Sequence, residues 1–273
     1  WPMPEPRIVI SGAGIAGLAA ALACGRADRP VRVIERAGAF GEVGAGIQVG
    51  PNVTRILHGW GLERPLAQLA AFPDRLLVRS AVSGRELAVM PLGQAMRQRY
   101  GAPYATVHRA DLHRLLLDAV RGYGGVQLDL DSALLAFAQS PVAGVTVSVA
   151  GGRQLQADLL LGADGLWSLV RQQLLDDGDP QPTGHLAYRA LLRQGDLPAA
   201  LRSQQVTVWL GPQLHVVQYP VRGGDGLNLV AVVHGAPDWL RAANATPGHL
   251  ANWNQQGDAA QLQAALGTVA PPL

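Results

Sequence analysis

The 273-residue sequence predicts an α/β protein in which a parallel sheet is interleaved with an antiparallel one. Three stretches predict it. Residues 7–35, RIVISGAGIAGLAAALACGRADRPVRVIE, run from an apolar strand through a glycine turn and a helix to a second strand ending in an acid. Residues 75–80 and 86–90, split by Ser83-Gly84, read as a hairpin rather than a crossover unit. Residues 206–210, 215–219 and 228–233 alternate apolar and polar between Gly-Pro and Gly-Gly-Asp-Gly turns, the texture of an antiparallel sheet.

The first unit is the most specific. Gly12, Gly14 and Gly17 have the G-x-G-x-x-G spacing, and their flanking elements make the unit Rossmann-like. Gly12 would make the tight turn, Gly14 would let backbone approach a pyrophosphate, and Gly17 would let the helix lie close to the sheet. Free N–H groups and the dipole at the helix start favour that anion. Glu35 arrives 23 residues after Gly12, placed to accept from a ribose hydroxyl, and Arg36 beside it joins the expected cofactor-binding set. This predicts a bound adenine dinucleotide, and Glu35 alone does not choose between FAD and NAD.

Residues 106–121 then carry leucines at helical spacing, and 126–161 read as several strands with a turn at 150–153. The apolar run 159–161 leads into GADGLWSLVR, a D-G-x-x-S-x-x-R pattern made by Asp164, Gly165, Ser168 and Arg171. Taken alone, Asp164 and Ser168 there could simply cap a helix. A polar, proline-containing linker at 176–183 precedes the change in texture.

Composition excludes several classes. A hydrophobic content of 48% can fill a sizeable core. The net charge is only +2, every positive residue is arginine, and no arginine run forms a stripe suited to nucleic acid. One cysteine, Cys24, cannot form an internal disulfide, so a reducing cytoplasm is expected. Residues 8–24 are apolar, but their glycine pattern and length fit a buried strand and helix better than a membrane span. Trp1-Pro2 ahead of Met3 is an unusual start. No metal site is expected, because no His/Cys cluster has ligand spacing, and there is no G-x-S-x-G elbow or second G-x-G-x-x-G.

With the fingerprint and the D-G segment together, the chain resembles the single-component (class A) FAD-dependent aromatic hydroxylases of the para-hydroxybenzoate hydroxylase superfamily. Within it, the salicylate and 3-hydroxybenzoate hydroxylases are most similar. The resemblance implies FAD as cofactor, NADH or NADPH as a transient reductant, O2, and a small phenolic aromatic acid as substrate. It implies Asp164 at the FAD, and a flavin-facing loop at 42–52, EVGAGIQVGPN, with backbone freedom at Gly44 and Gly46 and with Gln48 near the cofactor. Arg109 in HRADLH matches an FAD-contacting arginine, although a capping or salt-bridging role also suits it. Leu134 aligns with a backbone position at the adenine.

In the family a flavin hydroperoxide is attacked by a phenolate, so a base near the phenol is required. His215 in LHVVQYPV matches the family's active-site histidine, against the alternative of a structural hydrogen bond on a strand. Tyr188, Arg189 and Tyr219 are weaker candidates for the substrate pocket, with structural roles as their alternative.

The resemblance also implies boundaries: residues 1–74 and 103–182 for the FAD domain, 75–102 and 183–268 for the substrate domain, and 269–273 returning toward the FAD domain. Family members carry a second Gly-Asp flavin motif before a C-terminal helical region. Gly257–Ala260 reads GDAA, but polar residues precede it and QLQAAL follows at helical spacing, so it is not that motif. The resemblance places that motif past Leu273, in a C-terminal third outside this sequence. A larger polycyclic or heteroaromatic substrate, or a non-catalytic FAD-binding fragment, are the alternatives. A plain NAD dehydrogenase leaves the D-G segment unexplained.

Overall fold

The computed structural model describes residues 8–41, 44–181, 183–234, 256–271 and 273. The expectations for Trp1, Pro2, Met3, Arg7, Glu42, Val43 and positions 252–255 lie outside the described residues. The chain divides into two units, Trp1–Glu42 with Leu112–Gln181 and Val43–Asp111 with Pro182–Leu273.

In the first unit, β1 (Ile8–Ser11) pairs in parallel with β2 (Val31–Ile34), as a β-helix-β connection requires. The connecting helix α1 (Ile15–Arg26) buries Leu18, Ala21 and Leu22. Two later strands, β7 (Val126–Asp129) and β11 (Leu159–Gly162), complete a parallel sheet in the order β11-β1-β2-β7. An antiparallel sheet, β10-β9-β8, is built from β8 (Leu134–Ser140), β9 (Gly144–Val149) and β10 (Arg153–Ala157). Val9 and Ile34 of the parallel sheet join Phe137, Val145, Val147 and Val149 of the antiparallel one in a single core. Each such side chain, fully buried, contributes about 1.5–3 kcal/mol. Val170 of α6 (Leu169–Leu175) packs into the same core. The unit also takes α5 (Arg109–Arg121) from Leu112 onward, with its leucines buried as their spacing predicts.

The second unit contains a six-stranded sheet, in the order β12-β15-β14-β13-β4-β5. Its strands are β4 (Arg75–Ser80), β5 (Glu86–Pro91), β12 (His185–Arg193), β13 (Val206–Gly211), β14 (Leu214–Val221) and β15 (Gly226–His234). The hairpin foreseen at 75–90 therefore joins the later strands. The sheet is mixed rather than wholly antiparallel, because β13 meets β4 in parallel. One face carries Trp209, Val216 and Ala231 with Leu262 and Leu266 of α7 (Ala259–Leu266) packed on them. Val206, Tyr219 and Val221 form a separate cluster with Leu92.

A short ladder of β3 (Gly46–Val49) and β6 (Ala105–His108) belongs to this unit too, with α2 (Pro51–Gly59), α3 (Glu63–Leu69) and α4 (Gly93–Tyr100). Residues 43–74 and 103–111 therefore group with the six-stranded sheet, where the sequence-based division assigned them to the other domain. The cause is specific: Gly46 is hydrogen-bonded to side chains of β14 and β15, and Thr106 Oγ1 donates to Pro220 O at 2.5 Å. Residues 269–271 and 273 also stay with the second unit, with Ala270 N–H donating to Ala81 O at 2.8 Å.

GDAA is a helix start, in which the Asp258 carboxylate accepts from Ala260 N–H at 2.9 Å and caps α7. Among the described residues, no helix is long and apolar enough to cross a membrane.

Candidate functional site

The glycine turn of the first unit is built by close approach. Gly12 has φ +101°, and a Cβ there would stand 2.4 Å from Ala163 O and 3.1 Å from Asp164 Cα. The fingerprint and the D-G segment, about 150 residues apart in sequence, thus lie against each other, and Ala163 N–H donates to Ser11 O at 2.8 Å. At Gly17, a Cβ would stand 1.8 Å from Gly12 O, so the helix sits directly on its own turn.

Beyond this turn, α1 begins with Gly14 as its N-cap, with no side-chain cap and no acid in its first turn. Its opening amides are therefore left to a ligand or solvent, which suits an anion such as pyrophosphate.

Glu35 follows β2 and accepts Ala13 N–H at 2.8 Å through Oε2 and Ala37 N–H at 2.9 Å through Oε1. A carboxylate has about four acceptor positions, so two remain for ribose hydroxyls. Arg36 beside it is exposed. Leu134 opens β8 and packs on the core that contains Val9 and Ile34. These features fit an adenine dinucleotide.

Asp164 is more committed than its motif suggests. Its Oδ1 accepts from Ser168 Oγ at 2.5 Å, and its Oδ2 from the amides of Leu169 and Val170 at 2.9 and 3.2 Å. Ser168 Oγ in turn accepts from Arg171 N–H at 3.0 Å. The D-G-x-x-S-x-x-R spacing is thus a capping network at the start of α6.

In the second unit, β3 carries the GAGIQ segment. Gly46 is required for space rather than for backbone freedom, since a Cβ would stand 2.6 Å from Tyr219 Cε2. Its N–H donates to Asn228 Oδ1 at 2.6 Å, and its carbonyl accepts from Tyr219 Oη at 2.5 Å. Tyr219 is 4% exposed, and burial, reinforced by nearby Tyr104, pushes its phenol up to about 12. It therefore remains a donor at ordinary pH. Gln48 is exposed, and its Oε1 accepts from Tyr104 Oη. Arg109 is the first residue of α5, and its N–H donates to Ala45 O at 3.1 Å.

Strand alternation separates the substrate-pocket candidates. His215 and Tyr219 are four residues apart on β14 and share a sheet face. Cross-strand pairing puts Arg189, opposite Val230 and Val217, on that face too. Tyr188 points the other way and packs with Trp209, Val216 and Leu262. His215 and Arg189 are both exposed.

Two residues that the sequence reading did not single out stand in these networks. One is Asn228, whose partner contact spans 182 residues and has no local signal. The other is His113, buried on α5, with Nε2 2.8 Å from Ala13 O. The only signal for it was a histidine interrupting a leucine stripe.

Residues 5–211 match the family described as FAD binding domain. The chain is 39% identical over 223 residues to 3-hydroxybenzoate 6-hydroxylase 1 of Aquipseudomonas alcaligenes, covering 82% of this chain and 56% of that protein. It is 40% identical over 228 residues to 3-hydroxybenzoate 6-hydroxylase of Klebsiella oxytoca, covering 84% and 57%. The crystal structure of Klebsiella pneumoniae HpxO complexed with FAD and uric acid superposes with a TM-score of 0.75 at 26% identity, covering 97% of this chain and 62% of that one. The chain therefore spans a little over half the length of the relatives it matches.

Proposed function

The chain belongs to the FAD-binding-domain family, and on that premise we propose that it serves an FAD-dependent monooxygenase hydroxylating a small phenolic aromatic acid, with NADH or NADPH and O2. Its identity of 39–40% to two 3-hydroxybenzoate 6-hydroxylases supports a salicylate- or 3-hydroxybenzoate-like substrate. The observation that carries the reading is the uncapped start of α1 beside a turn that only glycine can make.

When bound, FAD supplies the redox chemistry, taking electrons from the nicotinamide and activating O2. This chain's residues bind and orient. The α1 amides meet the pyrophosphate, and Glu35 accepts from the ribose with its remaining lone pairs. In the first unit the resemblance assigns Asp164 to the FAD and Leu134 to the adenine; in the second it assigns Gln48 and Arg109 to the cofactor.

His215 accepts the phenol proton at an imidazole nitrogen, making the ring electron-rich enough to be hydroxylated. Its exposure on a face shared with Arg189 supports this role, because a purely structural histidine there would be packed or bonded. Arg189 is suited to the substrate carboxylate. Tyr219 acts through Gly46 instead, holding the GAGIQ segment in place.

A heteroaromatic substrate is the second reading, carried by the likeness to the uric acid complex. The test is substrate-stimulated NAD(P)H oxidation by the protein with a panel of hydroxybenzoates and heteroaromatics. Stimulation by hydroxybenzoates with matching product supports the first reading, and stimulation by heteroaromatics alone supports the second. NAD(P)H oxidation that no aromatic changes removes both.

A further inference from the structure

Ala13, between the first two glycines of the fingerprint, is held through both of the peptide groups that flank it. Its N–H donates to Glu35 Oε2 at 2.8 Å, and its carbonyl lies 2.8 Å from His113 Nε2. A carbonyl can only accept, so Nε2 carries the proton and His113 is the donor. The histidine is 5% exposed, on a helix stripe that otherwise buries Leu112, Leu115, Leu116, Leu117 and Val120. An imidazole among leucines is costly to bury unless it is bonded, and its bond goes to the one peptide that leads into the α1 N-terminus.

We infer that His113 is a positioning residue for the pyrophosphate-binding turn. By holding the Ala13 carbonyl it fixes the plane of the Ala13–Gly14 peptide, while Glu35 fixes the preceding Gly12–Ala13 peptide through the Ala13 N–H. The following Gly14 and the first amides of α1 are then preset toward the phosphates. This rests on the dinucleotide reading of the fingerprint. It gives Glu35 a second task besides the ribose, and couples α5 to the turn through a single hydrogen bond over 100 residues of sequence.

The experiment is a fluorescence titration of the apoprotein with FAD, with the apoprotein's thermal midpoint measured alongside. It compares the wild type with His113→Leu, His113→Gln and the core control Leu116→Ala. His113→Leu should raise the FAD Kd roughly tenfold, as expected for losing one preorganising hydrogen bond. His113→Gln, whose amide nitrogen reaches about as far as Nε2, should return Kd to within about threefold of wild type. Leu116→Ala should lower the midpoint without moving Kd.

If His113→Leu does not fold, His113→Asn, with too short a reach to Ala13, takes its place and should bind weakly. Wild-type Kd in the leucine or asparagine variant overturns the inference. So does a Kd that tracks the midpoint equally in Leu116→Ala, or a glutamine variant no better than leucine. Failure of the wild type to take up FAD overturns the dinucleotide reading and the inference with it, and is seen before any variant is made.

Discussion

At Glu35 one carboxylate braces two backbone amides and, in the proposed complex, accepts from the ribose. Glu35→Ala should therefore weaken FAD binding and also lower stability, by about 1–3 kcal/mol for amides left unmatched. FAD titration and urea unfolding check the two effects separately, and unchanged affinity would remove the ribose role. His215→Ala should leave the rate of flavin reduction by NAD(P)H unchanged while lowering hydroxylated product per NAD(P)H consumed; full yield would remove His215 from the chemistry. Tyr219 makes a pH prediction. Its phenol ionises near 10.0 when unfolded and near 12 when folded, because burial disfavours the phenolate. The folded state thus holds its proton more tightly, and that contribution is fully present below about pH 10 and lost as pH rises toward 12. Tyr219→Phe should flatten this part of the stability–pH curve, as read by thermal midpoints across the alkaline range.

Among elements, the strand-turn-helix-strand unit was legible because its determinants are local: glycine spacing, an apolar run and an acid after the second strand. The helix that follows GDAA was legible for the same reason, since its apolar spacing is local and Asp258 caps α7. Asp258→Ala should cost about 1 kcal/mol of stability without altering FAD affinity, measured by chemical unfolding and titration. The allegiance of β3 and β6 was not legible. It depends on Tyr219 and Asn228, 173 and 182 residues from Gly46. Gly46→Ala should force Tyr219 aside and destabilise the protein by about 1–3 kcal/mol, a loss that thermal unfolding would register. The split of Tyr188 from Arg189 follows from alternation along β12, but which side faces the α7 helix was fixed only by the sheet's neighbours.

For the whole molecule, the α/β class and the parallel sheet followed from the sequence pattern, and the joining of the early hairpin to the later sheet followed from the family resemblance. The parallel β13–β4 contact and the pairing of Gly46 with β14 and β15 did not, because long-range pairing carries little local signature. In the proposed complex, the turn at Gly12 and the open start of α1 bind the pyrophosphate of FAD. The most direct measurement is the absorption spectrum of the protein after incubation with FAD and removal of free cofactor. Stoichiometric oxidised-flavin bands, lost in a folded Gly12→Val variant, are the predicted result. A folded wild type that stays colourless, or a Gly12→Val variant that stays equally yellow, would contradict it.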